Sequence, residues 1–543
     1  MPWIQNYYVI ADNIFLTALF AMLPIFFLFW ALAIRKIKGY LAVAGTWCIT
    51  FLVSVSIFRM PVSIALSAAL FGAINGFFPL CWLILNAVFF HNLIAASGKF
   101  EIIKSSIASI SNDRRVQAIL IGFCFSAFLE GVSGIATPVA ISATILIGLG
   151  FPVLPAAVIC LIGNTVPVPF GAIGLPTIIT VTTAFGADPQ ALSAVTGSVG
   201  IVMSTFALIL PVFILFVMCG RKATLQALPV CLAGSIGYIA PNFLITAFIG
   251  PQLPSVISPL VSMGVIIFFL RIWKPKTIWR FNDDIPVPAN REKYPVPQII
   301  FAWTPFIMLT LLIMIWSLPA FSAFSAALPL RLIIEQWPGL SGLVYLNTPI
   351  VPVPAPFDAS FSFDFFAASG TALLISSILC SIIFRIKFFQ FFKIAGASFL
   401  QLKFALLSMT LVLSIAHLSN YSGISYTLGL AFAATGPLFL FFSPLIGFTG
   451  VFLTGSVSSS GALFGNLQRV TAEQLGLSPL ITVTANITGA VMGKLVSPTS
   501  LAIVAASVGL TGKEGLILGK TMKHALVLLG MSIAIIYLSH IFL

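Results

Sequence analysis

The chain alternates between apolar runs of about 20 residues, the length that crosses a bilayer as a helix, and short polar connections. That rule predicts crossings at 14–34, 41–58, 62–95, 153–185, 191–219, 225–249, 253–272, 299–318, 367–384, 403–418, 478–510 and 524–542. The run 62–95 is overlong, and Asn75-Gly76 marks a break inside it. Two further apolar stretches do not read as plain spans. Residues 116–150 are interrupted between Glu130 and Pro138, and residues 438–466 are interrupted between Thr454 and Gly461. Each reads as a re-entrant hairpin followed by a discontinuous span, 153–185 and 478–510 respectively.

The two stretches echo each other. Phe128-Leu-Glu-Gly131 returns as Phe452-Leu-Thr-Gly455, and Asn164, Gly171 and Pro176-Thr177 return with the same spacing as Asn486, Gly493 and Pro498-Thr499. Paired interrupted segments in two halves are the sequence mark of a secondary transporter's binding site. The fold class expected is therefore an all-α polytopic membrane protein, with about 12 transmembrane helices plus two re-entrant hairpins in an inverted repeat. Its expected organisation is a membrane half at 1–272, a cytoplasmic linker at 273–298 and a second membrane half at 299–543.

Composition supports the membrane assignment. Of 543 residues 59% are hydrophobic and 7% charged, against about 25% charged in soluble domains. The net charge of +13 would suggest nucleic acid, but 22 of the 26 basic residues fall in alternate connections. That is the positive-inside pattern, and it accounts for the basicity without a nucleic-acid partner. It orients both termini to the periplasmic side and makes the hairpins enter from opposite faces. The segment 319–366, with Arg331 against Glu335, Asp358 and Asp364, is expected outside, as a cap on the membrane or a contact with a second copy of the chain. Seven cysteines lie in apolar segments without a Cys-x-x-Cys pair, so neither a disulfide framework nor a metal site is expected, and no cofactor signature is present.

The candidate chemistry sits at the interruptions. Glu130 is read as the one carboxylate deep in a membrane segment, where a charge costs on the order of 3 kcal/mol. It is either structural, bonded to hairpin backbone or paired with Lys494, or a proton-coupling group. Lys494 is the one cation at such depth. It either snorkels to a surface or meets the carboxylate of an anionic substrate, helped by helix N-termini. Ser133 and Thr137 at the first tip, and Ser456, Ser458, Ser459 and Ser460 at the second, offer hydroxyls. Asn164, Thr165, Asn486 and Thr488 are expected at the helix breaks, as amide and hydroxyl ligands for substrate. Nothing resembles a nucleophile with its base, so an enzyme is not expected. An anion channel would fit the small-residue tips but not the paired breaks.

These same stretches carry a resemblance. GKFEIIKSSIASIS (98–111), GFCFSAFLEGVSGIATPVAI (122–141), LIGNTVPVPFGAIGLPT (161–177), GVFLTGSVSSSGALFGNLQRVTAEQLGLSPL (450–480) and GKLVSPTSLAIVAA (493–506) resemble the L-lactate permease family. The resemblance implies a proton-coupled carrier of lactate and related 2-hydroxymonocarboxylates in the bacterial inner membrane. Its partners would be a small carboxylate, protons and the lipid bilayer. A sodium-coupled or exchange carrier of another small organic anion is the alternative. Two positions depart from the family pattern: Val457 stands where an Asp is usual, and Gly461 where an Asn is usual.

Overall fold

The computed structural model describes residues 2–35, 37–134, 137–281, 294–316, 318–327 and 331–542. Among them, 11 helices are long and apolar enough to cross a membrane, or 12 if the pair Ile424–Ala433 and Gly436–Phe452, bent by 117°, is one span. Large apolar side chains such as Phe15, Leu66, Phe243, Phe268 and Leu311 lie exposed along these helices, as lipid-facing residues do.

Two long helical stretches are divided, the first at a point just beyond the Asn75-Gly76 break expected there and the second between the spans expected at 191–219 and 225–249. In Val62–Ala96 the helix is interrupted at Phe78, whose backbone is extended (φ −133°, ψ 132°). In Pro189–Phe248 the interruption is Gly220 at φ +72°, a left-handed conformation that glycine adopts without steric cost. The expected linker 273–298 falls partly on 282–293, outside the described residues.

Three elements differ from expectation. The crossing expected at 403–418 belongs to one helix, Phe388–Ser422, that ends at Gly423 with φ +90°. No proline or glycine break stops it earlier, and its first turns expose Phe388, Phe389 and Phe392. The connector expected at 419–437 instead holds the helix Ile424–Ala433, with Ile424 to Gly429 buried. The segment expected as a cap does contain strands. These are β2 (Arg331–Ile334), β3 (Val344–Leu346), β4 (Ala355–Pro356) and β5 (Phe361–Asp364), which β1 (Trp3–Ile4) joins from the start of the chain. β2 pairs antiparallel with β5, β3 antiparallel with β4, and β1 parallel with β3. Sequence reading missed the strands because they are two to four residues long and too short for alternation to register.

The centre is built from eight helices. In the first set, α1 is Arg114–Val132, α2 is Thr137–Gly148, α3 is Val153–Gly163 and α4 is Gly171–Phe185. In the second set, α5 is Phe439–Thr454, α6 is Val457–Gln474, α7 is Pro479–Lys494 and α8 is Pro498–Ser507. α1 is buried along its whole apolar window, whereas the span Val296–Trp316 is 28% buried. α1 is therefore a core element surrounded by other helices, and it carries Glu130.

The start of α1 is anchored by a buried ion pair. Asp113 and Arg115 are 2% and 0% exposed and form an ion pair at 2.7 Å. Arg115 also donates to Ala223 O, Gln226 Oε1 and Thr277 O, while Asp113 accepts the Trp279 N–H. Three connections expected on one face of the membrane thus meet at a single buried arginine.

Candidate functional site

At the end of α1, Glu130 is 3% exposed. Its Oε1 lies 2.7 Å from Lys494 Nζ, the last residue of α7. Its Oε2 accepts from Asn164 Nδ2 at 2.8 Å, and Asn164 Oδ1 in turn accepts from the Ser126 hydroxyl at 3.1 Å. The carboxylate is therefore fully engaged. A buried ion pair is tolerated when such extra hydrogen bonds complete it.

Local sequence explains why these groups converge. Asn164 terminates α3, and from there to Gly174 the chain is not regular helix. Ala172, Ile173 and Gly174 have φ of 42°, 58° and 81°, and a β-branched residue such as Ile173 adopts the left-handed region only under constraint. The carbonyls released by the break are satisfied by side chains: Ser255 donates to Pro167 O and Thr177 donates to Pro169 O. Irregular backbone at membrane depth persists where protein supplies such partners. Gly171 makes room for the acid, since a Cβ there would lie 2.8 Å from Glu130 Oε1.

The second set is arranged differently. Asn486 and Thr488, expected at a break, lie inside α7, which stays regular to Lys494 and breaks only over 495–497. Close packing explains the difference. A Cβ on Gly489 would sit 2.0 Å from Pro444 O, and one on Gly493 2.4 Å from Phe448 O, so these glycines, four residues apart, seat α7 against α5. The glycine read as a break signal is a packing contact. Asn486 Oδ1 accepts from Gln468 Nε2 at 3.3 Å, and Thr488 accepts from the Ser532 hydroxyl at 3.1 Å.

The candidate residues thus divide. Glu130, Asn164 and Lys494 are in direct contact. Thr165 lines the same small cavity as Asn164 and Lys494, with Ser500 and Val139 across it. The Ser133 hydroxyl donates to Leu129 O within its own helix, and the Thr137 side chain lies outside the described set. Ser456 caps α6 by accepting the Ser459 N–H, and Ser460 donates to Gly447 O. The hydroxyls of Ser458 and Ser459 have no hydrogen-bond partner among the described residues. The second tip adjoins the start of α8, where a Cβ on Gly455 would lie 2.6 Å from the Thr499 hydroxyl. Sequence reading missed Ser126 and Ser500. Ser126 precedes Glu130 by four residues, so both lie on one helix face, a signal that was available.

Val457 and Gly461 also find physical places. Val457 is 4% exposed in the apolar core. Gly461 lies against α4, where a Cβ would come within 1.8 Å of Thr180 Oγ1. A larger residue at position 461 would require Thr180 to shift.

The cavity beside Lys494 measures about 10 Å³, close to the threshold for one water molecule. A carboxylic acid does not fit, so the structure describes a centre closed around its own ion pair.

A buried ion pair at broken helices fits a transport protein, and the relatives of the chain give its family. The family model for L-lactate permease matches residues 17–542. The chain is 39% identical to an L-lactate permease of Bacillus subtilis over 99% of each chain. It is 41% identical to that of Escherichia coli K12, over 97% of this chain and 96% of the relative. It is 39% identical to the glycolate permease GlcA of Escherichia coli K12, again over 97% and 96%. The chain belongs to the L-lactate permease family, a family of permeases and not of enzymes. A solved transporter structure from Alcanivorax borkumensis matches with TM-score 0.43 and 13% identity over 86% of each chain, a likeness too slight to bear on the fold.

Proposed function

We propose that this protein takes up lactate and related 2-hydroxymonocarboxylates, glycolate among them, together with protons across a bacterial inner membrane. Glu130 would be the proton-coupling group and Lys494 the substrate's counter-charge. The observation that carries the reading is that one ammonium, Lys494, is held by a buried acid with which a substrate carboxylate would compete.

The competition supplies a coupling mechanism. A carboxylate arriving at Lys494 displaces Glu130, which is then a buried anion without its cation. Such a group is neutralised by a proton far more readily than it is kept charged. Substrate and proton therefore load together, and the loaded centre carries only the Lys494–substrate pair. On release, Lys494 returns to Glu130 and the proton leaves. Asn164 and Thr165 at the first break are suited to a substrate hydroxyl, and the serines of the second tip to its carboxylate once the centre opens. Inverted repeats with two re-entrant hairpins, and termini on the periplasmic side, are the architecture we infer for this exchange of access.

Uptake of radiolabelled lactate, glycolate and pyruvate into proteoliposomes tests the reading. An imposed inward pH gradient is expected to drive accumulation of lactate and glycolate with no sodium present. Accumulation driven only by a sodium gradient, or exchange without accumulation, would favour the alternative carrier classes.

A further inference from the structure

A cavity of about 390 Å³ lies between the β-rich cap, the end of α4 and the end of α6, and Asn420, Asn466 and Arg469 line it. These three form a chain whose polarity is set by its charged member. A guanidinium can only donate, and Arg469 Nε and Nη2 both reach Asn466 Oδ1, at 3.4 and 3.3 Å. Asn466 must then use its amide nitrogen on the other side, where Nδ2 donates to Asn420 Oδ1 at 3.1 Å. Each amide oxygen accepts within the chain. The donors left over in these three residues are Asn420 Nδ2, with no acceptor among the described residues, and the Arg469 N–H groups not given to Asn466 or to Glu473 Oε1 at 2.9 Å, beside which the Tyr426 hydroxyl also stands.

We propose that this cavity is a second binding site for a small carboxylate, with Asn420 and Arg469 donating to the ligand's oxygens. Arg469 is 23% exposed at its side chain, so its charge is accessible from water. Glu473 offsets part of that charge, and Asp358, which also lines the cavity, accepts the Gly342 N–H at 3.1 Å. The site therefore recognises its ligand by a short-range donor set more than by a strong field. Thr182 and Thr183 of α4 border the cavity, and one turn further in, Thr180 meets Gly461 and Gly465 of α6, where added Cβ atoms would lie 1.8 Å from Thr180 Oγ1 and 2.8 Å from Thr180 O. That contact packs α4 directly against α6 beside the cavity.

The inference deepens the carboxylate-carrier reading, but its test uses no transport. Ala187 lines the cavity, and Ala187→Cys in a Cys48→Ser background removes the exposed native thiol. Its reaction rates with anionic and cationic methanethiosulfonates are compared, each relative to a free thiol in solution. Arg469→Gln is expected to lower the anionic-to-cationic ratio about fivefold, and lactate or acetate is expected to slow labelling of the parent. Asn420→Asp keeps the acceptor for Asn466 while removing the ligand-facing donor, and it is expected to abolish that protection in a folded protein. An unchanged ratio in Arg469→Gln, absence of protection by either carboxylate, or full protection in Asn420→Asp overturns the proposal. Failure of the central coupling scheme would appear in the uptake of Glu130→Gln and leaves these labelling results untouched.

Discussion

Glu130 Oε1 and Lys494 Nζ stand 2.7 Å apart, joining residues that are 364 positions apart in the chain. Removing Lys494 leaves Glu130 as a buried, uncompensated charge, which costs about 3–5 kcal/mol, and removing Glu130 leaves a largely buried ammonium whose side chain is 12% exposed. Lys494→Ala and Glu130→Ala are each expected to lower thermal stability markedly in detergent. The double variant Glu130→Gln with Lys494→Met should recover most of the loss, because the isolated charge is gone. A double variant no more stable than the worse single variant would mean that the pair is not what couples the two positions.

Gly171 gives a test of how tightly the acid is cradled. The Cβ of Gly171→Ala would press on Glu130 Oε1, and overpacking of this kind costs about 1–3 kcal/mol. We expect reduced gradient-driven uptake with protein still in the membrane. The matched change Gly493→Ala would clash with Phe448 backbone and not with an acid, so it should lower stability more than it alters the pH dependence of transport. Equal effects of both on that pH dependence would argue against a special role for the space beside Glu130.

The buried arginine at the start of α1 predicts a structural phenotype. Arg115→Ala leaves Asp113 unpaired and is expected to destabilise by about 3–5 kcal/mol, whereas Arg115→Lys keeps the charge but not the multiple directed bonds and should fall between. Limited proteolysis near Trp279, whose N–H bonds Asp113, should become faster in Arg115→Ala. Unchanged proteolysis would show that this segment is held by other contacts.

Parts of this arrangement were legible in the sequence and parts were not. Span positions follow from the length of apolar runs, and the interruptions at Phe78 and Gly220 lie in the overlong run and between the two predicted spans. Glu130 and Lys494 stood out because a charge in an apolar run is costly. Their mutual contact was only one of the alternatives, since nothing local links residues from two separate stretches. The environments of Asn486 and Gly493 were misread because a glycine marks either a bend or a close approach, and only the neighbouring helix decides which. The buried pairing of Asp113 with Arg115 was not legible, because polar residues at a span's edge are usually solvated. Their burial depends on 273–281 folding back over them, which no periodicity announces.

Substrate recognition yields a further expectation. A buried site that bonds a hydroxyl penalises a ligand lacking it, because its own polar groups are left unpaired. Propionate should therefore compete with lactate uptake far more weakly than glycolate does, and Asn164→Ala should narrow that difference. Asn164 also bonds Glu130, so the variant's maximal rate should fall as well. Propionate competing as well as lactate in the unmutated protein would contradict the hydroxy-acid assignment.

The central claim is that Glu130 is the group whose protonation is linked to substrate at Lys494. Its most direct test is Glu130→Gln in proteoliposomes, assayed in parallel for lactate accumulation under an imposed pH gradient and for lactate–lactate exchange without one. A side chain that is permanently neutral mimics the protonated carrier, so exchange should persist while accumulation against the gradient is lost. Accumulation that still follows the pH gradient as in the unmutated protein would contradict the account and leave Glu130 a structural residue.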